Sequence, residues 1–243
     1  MAKIPKNPEE IFAEITGDYR NIFGEDLISI ILYGSGAGED YVPGKSDLNF
    51  LIILTERGIA GLDRILETVS RWRKRNVAIP LFMTRDDLAG SQDAYPIEFL
   101  NMRRSYLIAT GEDVLAPLAF DPRHIRLQLE RELRSKLLHL RSGYLATGGN
   151  PRKVRELIGA SLTAFVSLFG ALLSLKNLEI PKRKRDVIAT AGAAFSFDAA
   201  VFLKCEEIRG KTDRFSAAEV LAVFRNYLKE VNRLCEIIDH MDV

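Results

Sequence analysis

Several things are scarce in this chain, and each shortage excludes something. Two cysteines in 243 residues are too few for a disulfide framework. Cys205 and Cys235 fall in helical-looking sequence without metal-ligand spacing, so the expectation is two buried thiols in a reducing cytoplasm. The three histidines, His124, His139 and His240, are scattered over expected helices and suggest no His-centred catalytic or metal cluster. Excess charge is missing as well. Lys and Arg number 34 against 33 Asp and Glu, a net charge of +1, so the overall balance gives no argument for nucleic acid or a membrane surface. Residues 1–12 carry no apolar signal-peptide core, so export by such a peptide is not expected. No uninterrupted apolar run approaches membrane-spanning length. The most apolar segment, residues 158–175, is broken by Ser, Thr and Gly and reads as the core helix of a bundle.

What is present is ordinary material for a folded core: 47% hydrophobic and 28% charged residues, in a chain long enough for one or two domains. The organising stretch is residues 28–54. Two apolar, β-rich runs, residues 28–33 and 48–54, have the length and branching of buried strands. The connection between them opens with Gly34-Ser35 and closes with Ser46-Asp47-Leu48-Asn49. Strand side chains alternate, which puts Asp47 and Asn49 on one face and Leu48 and Phe50 on the other. Gly34, Gly36, Gly38 and Gly44 leave room for a phosphate to approach the backbone. Two oxygen-bearing side chains opposite a Gly-Ser turn could hold a divalent cation together with a nucleotide's phosphate tail.

Gly34-Ser35, a spacer, then Asp47-Leu48-Asn49 inside apolar sequence resembles the signature of the DNA polymerase β-like nucleotidyltransferases. The small bacterial branch that includes minimal and kanamycin nucleotidyltransferases is the most similar. The resemblance implies an α/β (α+β) mixed sheet, binding of an NTP such as ATP, and Mg²⁺-dependent transfer of a nucleoside monophosphate to a hydroxyl acceptor. Carried over by position, it implies catalytic and metal-holding roles for Asp47, Asn49 and Glu98, and nucleotide contacts from Gly34, Ser35 and Ser46. The chain departs from the pattern twice. Asn49 stands where the family has its second acid, and Glu39-Asp40 stand where many members carry an arginine after Gly-Ser.

The rest of the chain reads in order. Asn7-Pro8-Glu9-Glu10 has the chemistry of a helix start, followed by Ile11, Ile15, Tyr19 and Phe23 on one face and a stop at Gly24. Residues 59–75 read as one amphipathic helix with Leu62, Ile65, Leu66, Val69 and Trp72 inward, its terminal basic residues complementing the dipole. Residues 77–83 read as a third strand. Thr84 caps a short helix, residues 95–102 read as another strand, and residues 103–111 as a closing helix. Glu98, the one acid inside a strand-like run, is either the family's third carboxylate or an exposed edge-strand residue. Beyond Pro117–Pro122 the pattern changes to helices alone. Residues 1–119 therefore form the sheet domain and residues 120–243 an all-α helical bundle, whose apolar central helix could also serve a homodimer.

Two functions follow. One is an enzyme, the Mg²⁺-dependent transferase just described. The other is a catalytically degenerate relative that binds a nucleotide or a protein partner. Asn49 can offer a carbonyl oxygen to a cation but no charge, and that favours the second.

Overall fold

The computed structural model describes residues 4–38, 41–210 and 215–242. Two compact units divide the chain, Met1–Phe120 and Asp121–Val243. Glu39 and Asp40 lie outside the described residues.

The first unit opens as its sequence chemistry dictates. Asn7 caps a short 3₁₀ turn, Pro8–Ile11, through a reciprocal box with Glu10, and α1, Phe12–Phe23, continues from it. β1, Leu27–Tyr33, and β2, Asn49–Leu54, pair antiparallel, with Tyr33 opposite Asn49 and Leu27 opposite Leu54. The helix expected over residues 59–75 is instead three pieces: α2, Glu56–Ile59, a 3₁₀ turn, Leu62–Ile65, and α3, Leu66–Arg73. The break changes the phase, so Leu66 is 68% exposed while Ile65 and Trp72 are buried. Thr55 caps α2 by accepting the Gly58 N–H. Two basic residues near the end of α3 are tied to α1, Arg71 to Asp18 at 2.6 Å and Arg75 to Glu14 at 2.5 Å. Trp72 donates its indole N–H to the same Asp18 at 2.9 Å.

β3 is only Leu81–Met83, parallel to β2; Val77 makes an isolated bridge to Leu48. Pro80, between them, has no N–H to give a ladder. α4, Arg85–Gly90, starts at a Thr84–Asp87 capping box, as expected. The next two expectations are reversed. Residues 95–102 are not a strand: α5 spans Pro96–Arg104, with Pro96 at its first position and Glu98 in its first turn. Residues 103–111 are not a helix: β4, Tyr106–Gly111, pairs antiparallel with β1. The sheet order is β3-β2-β1-β4, mixed because only β2 and β3 run parallel.

Alternation along β1 and β2 sends apolar residues to both faces, so both are covered. Ile30, Leu32, Leu48, Phe50, Ile52 and Leu54 pack with Ile11 of the 3₁₀ turn, with Ile15, Tyr19 and Phe23 of α1 and with Trp72. Ile31, Leu51 and Ile53 pack with Met83, Leu88 of α4, Phe99 and Met102 of α5, and Leu115. A sheet buried on both faces holds its strand ends in fixed places, and the site depends on that.

The second unit has five helices among the described residues: α6, Pro122–Ala146, α7, Pro151–Leu175, α8, Lys184–Phe195, α9, Ala199–Gly210, and α10, Ala217–Asp239. Asp121, Asn150 and Ser216 cap α6, α7 and α10. α6 buries Ile125, Leu129, Leu133, Leu137 and Leu140, the stripe its spacing requires. α8 and α9 separate at Ser196, which is left-handed with φ +56. Contrary to the reading of its sequence, α7 is long and apolar enough to cross a membrane by length and composition; half of that apolar window is buried. At its centre Phe165, Phe169, Phe197, Phe202 and Tyr227 form one ring cluster. Cys205 and Cys235 are free and buried, and burial pushes the Cys205 thiol up to about 12.

Candidate functional site

The antiparallel register of β1 and β2 places the end of one beside the start of the other. Tyr33, the last residue of β1, faces Asn49, the first of β2. The residues after Tyr33 and those before Asn49 therefore meet at one end of the sheet. Gly34–Ala37 folds there as a single 3₁₀ turn. Gly36 packs onto the strand so closely that a Cβ on it would sit 2.9 Å from Leu48 Cδ2 and 3.7 Å from Leu48 Cα. A Cβ on Gly34 would lie 3.9 Å from Asn49 Nδ2. The Gly-Ser turn thus rests on Leu48-Asn49, and a side chain at Gly36 would have to displace the ends of the buried Leu48 and Leu32 side chains.

Two segments hold this arrangement. The Gly34 N–H donates to the Ser105 carbonyl at 3.0 Å, which links the turn to the α5–β4 junction. On the other side, Asn76 holds the run into β2. Its carbonyl accepts the Leu48 N–H at 2.9 Å, and its side-chain amide donates to the Ser46 carbonyl at 3.2 Å. Asn76 adopts φ +64, a left-handed conformation that Asn tolerates better than most residues. Neither Asn76 nor Ser105 stood out in the sequence. For Asn76 a signal existed, since Asn just past a helix C-terminus is a common left-handed cap.

The candidate residues divide as follows. Asp47 is exposed and Asn49 and Ser35 are half-buried. Their side chains make no hydrogen bond or ion pair among the described residues, so their polar atoms remain available to a ligand. Ser46 is partly committed, because its hydroxyl accepts the Val42 N–H at 3.0 Å and so closes the loop. Glu98 sits on α5 rather than on a strand. It is exposed in the first turn, while the far end of α5 leads into Ser105. From Glu98 to Arg104 is about 9 Å of helical rise.

The neighbours of Asn49 are aromatic and apolar. Tyr33 pairs with both Asn49 and Tyr106, so the three residues share a face. Burial holds the Tyr33 phenol above its ordinary value, and a hydrogen bond to Asp113 raises that of Tyr106; both stay protonated at neutral pH and neither is a general base there. On β3, Leu81 is 40% exposed, and Ile79 just before the strand is 65% exposed. No three His, Cys, Asp or Glu side chains gather as they would around a metal ion among the described residues.

No family model matches this sequence, and no curated protein does. Among solved structures the chain is similar to spectinomycin adenyltransferase AAD(9) from Enterococcus faecialis, determined with ATP and spectinomycin. The TM-score is 0.54 at 13% identity, over 95% of this chain and 98% of that one. A likeness at that identity is a likeness of fold. The chain therefore has a nucleotidyltransferase-like fold, a mixed four-stranded sheet followed by a helical region.

Proposed function

We propose that the end of the sheet formed by Gly34, Ser35, Asp47 and Asn49 binds a nucleoside triphosphate such as ATP, and that binding outweighs transfer. The observation that carries this is the Gly34–Ala37 turn seated on Leu48-Asn49, with the polar groups of Ser35, Asp47 and Asn49 unengaged. Backbone N–H groups of the turn and the Ser35 hydroxyl would take phosphate oxygens. The similar adenyltransferase was determined with ATP, which supports the same ligand class here.

A magnesium ion fits this donor set in one way. Mg²⁺ commonly uses one or two protein carboxylates and completes its shell with water and nucleotide phosphate; Asp47 and the Asn49 carbonyl are suited to that. A two-metal site held by three carboxylates does not fit, since Asn49 brings no charge, Glu98 lies on α5, and Ile79 and Leu81 occupy the neighbouring edge. When bound, the ion would neutralise the phosphate tail. At an effective dielectric of 20, a unit charge at 4 Å contributes roughly 4 kcal/mol per unit of cation charge before desolvation. Its absence at residue 49 corresponds to about three orders of magnitude in rate per unit of cation charge, before desolvation is counted.

The second reading, transfer of a nucleoside monophosphate to a hydroxyl acceptor, draws support from the extent of the likeness to an enzyme determined with its antibiotic. One set of measurements separates the two. ATP should raise the thermal midpoint more with Mg²⁺ than without it, and Asp47→Ala should remove the Mg²⁺-dependent part. Pyrophosphate release should be at background and should rise in Asn49→Asp. Rapid pyrophosphate release by the unaltered protein would favour the transferase; undiminished Mg²⁺-ATP stabilisation of Asp47→Ala would refute the site.

A further inference from the structure

The second unit carries a feature that nucleotide binding does not use. Among its described residues the exposed large hydrophobics are Leu127, Leu138, Leu145 and Leu178, and the first three are 62%, 61% and 79% exposed. All three lie on α6 at spacings of eleven and seven residues, which return to within about 20° of the same direction. Arg131, Arg134 and Arg141 fall between them. The series 127, 131, 134, 138, 141, 145 steps by four and three alternately, the spacing of a helix–helix seam. The row extends over about 27 Å. Because α6 buries Ile125, Leu129, Leu133, Leu137 and Leu140, the row points away from the unit's own core.

Charge decides what could cover it. Arg134 meets Glu130 at 3.2 Å and Asp239 at 2.9 Å. Arg141 donates to the side-chain oxygen Oδ1 of Asn232 at 3.2 Å, and Arg131 makes no ion pair among the described residues. The nearest acids on α6 are shared out already, Glu130 with Arg126 and Arg134 and Glu132 with Lys136. A second copy laid on this row, seam to seam, would set arginine against arginine. An anionic bilayer would suit a broad apolar face edged with cations, whereas here guanidinium groups interrupt a row one residue wide.

We propose that this face of α6 docks an α-helix of a partner protein, one whose seam carries Leu or Ile against Leu127, Leu138 and Leu145 and Asp or Glu against Arg131 and Arg141, whose charges no acid among the described residues of the unit meets, Arg134 being held already by Glu130 and Asp239. The leucines supply apolar contact, and the arginines select an acidic helix over a neutral or basic one.

The test uses the full chain and a synthetic four-heptad helical peptide with Leu and Glu in those seam positions, followed by calorimetry. Saturable one-to-one binding is expected. It should weaken at least about tenfold in Leu138→Glu and disappear when the peptide's seam Glu residues are replaced by Lys. The thermal midpoint of Leu138→Glu should match the unaltered protein, since the side chain is exposed. Absence of saturable binding, equal binding of the acidic and basic peptides, or indifference to Leu138→Glu would each overturn the proposal. So would flotation with phosphatidylglycerol vesicles, or self-association by sedimentation, that depends on Leu138 and exceeds peptide binding.

Discussion

β1 and β2 end in opposite ways. At the Leu27–Leu54 end a carboxylate is built in: Asp26, 6% exposed, accepts from the Thr55 hydroxyl at 2.5 Å and from Arg57 Nε at 3.0 and 2.9 Å. The Thr55 N–H donates to the Asp26 carbonyl at 3.0 Å, and Ser29 donates to the carbonyls of Thr110 and Glu112 at 3.2 and 2.8 Å. At the Tyr33–Asn49 end the carboxylate, Asp47, is exposed and without partners among the described residues. The same chemical group is used for structure where its hydrogen bonds are met internally, and is left to water where a ligand could meet them. The polar end that looks less finished is therefore the candidate site.

The contrast can be broken most forcefully at the closed end. Gly111 has φ +87, and a Cβ there would sit 2.0 Å from the Ile28 carbonyl oxygen. Gly111→Ala should cost on the order of 3 kcal/mol through backbone strain and displacement of β1, read as a lower urea midpoint. A variant of unchanged stability would mean that β1 and β4 do not close the sheet as described.

A pH series gives a smaller effect at the same end. Hydrogen bonds from Arg57 first, then Thr55, hold the Asp26 carboxyl below its ordinary value. A depressed acid contributes stability at pH above its unfolded value, near 4, and loses it as the pH falls through the folded value. Asp26→Asn should therefore be less stable than the unaltered protein at pH 5–7, with the difference shrinking below about pH 4. Its Mg²⁺-ATP-dependent rise in thermal midpoint should persist, because the site is at the other end. A constant difference down to pH 2 would contradict the assigned ion pair.

At the open end the smallest effect should be the most selective. Asn76→Ala strains a left-handed backbone by about 1–2 kcal/mol and also loses the amide bond to Ser46. Asn76→Gly relieves the strain and loses only the bond, about 1 kcal/mol. Both should weaken Mg²⁺-ATP binding by calorimetry, alanine more than glycine. Equal, undiminished binding in both would show that Asn76 does not position the Asp47 run.

The hairpin frame around the candidate site was legible because it is local. The Gly-Ser turn and the Asp47-Leu48-Asn49 run lie in one hairpin connection, and a strand pair long enough to be recognised fixes its register. Asn7-Pro8-Glu9-Glu10 was read correctly as a helix start from cap chemistry. The same marks, a proline followed two residues later by Glu, stand at Pro96–Glu98. There residues 95–102 were read as a strand, since short, largely apolar stretches suit either structure. Glu98 was misplaced with it. Tyr106–Gly111 was misread in the opposite direction, although its aromatic and branched residues favour a strand.

The sequence by itself determined the hairpin frame, the capped helices and the buried stripe of α6, because each follows from periodicities and hydrogen bonds within a few turns of chain. Only the tertiary structure decided that β4 closes the sheet beside β1, that α5 covers one of its faces, and that Asn76 and Ser105 hold the two halves of the candidate site. Those choices depend on pairing and burial between segments far apart in the chain, and local preference is too weak to settle them.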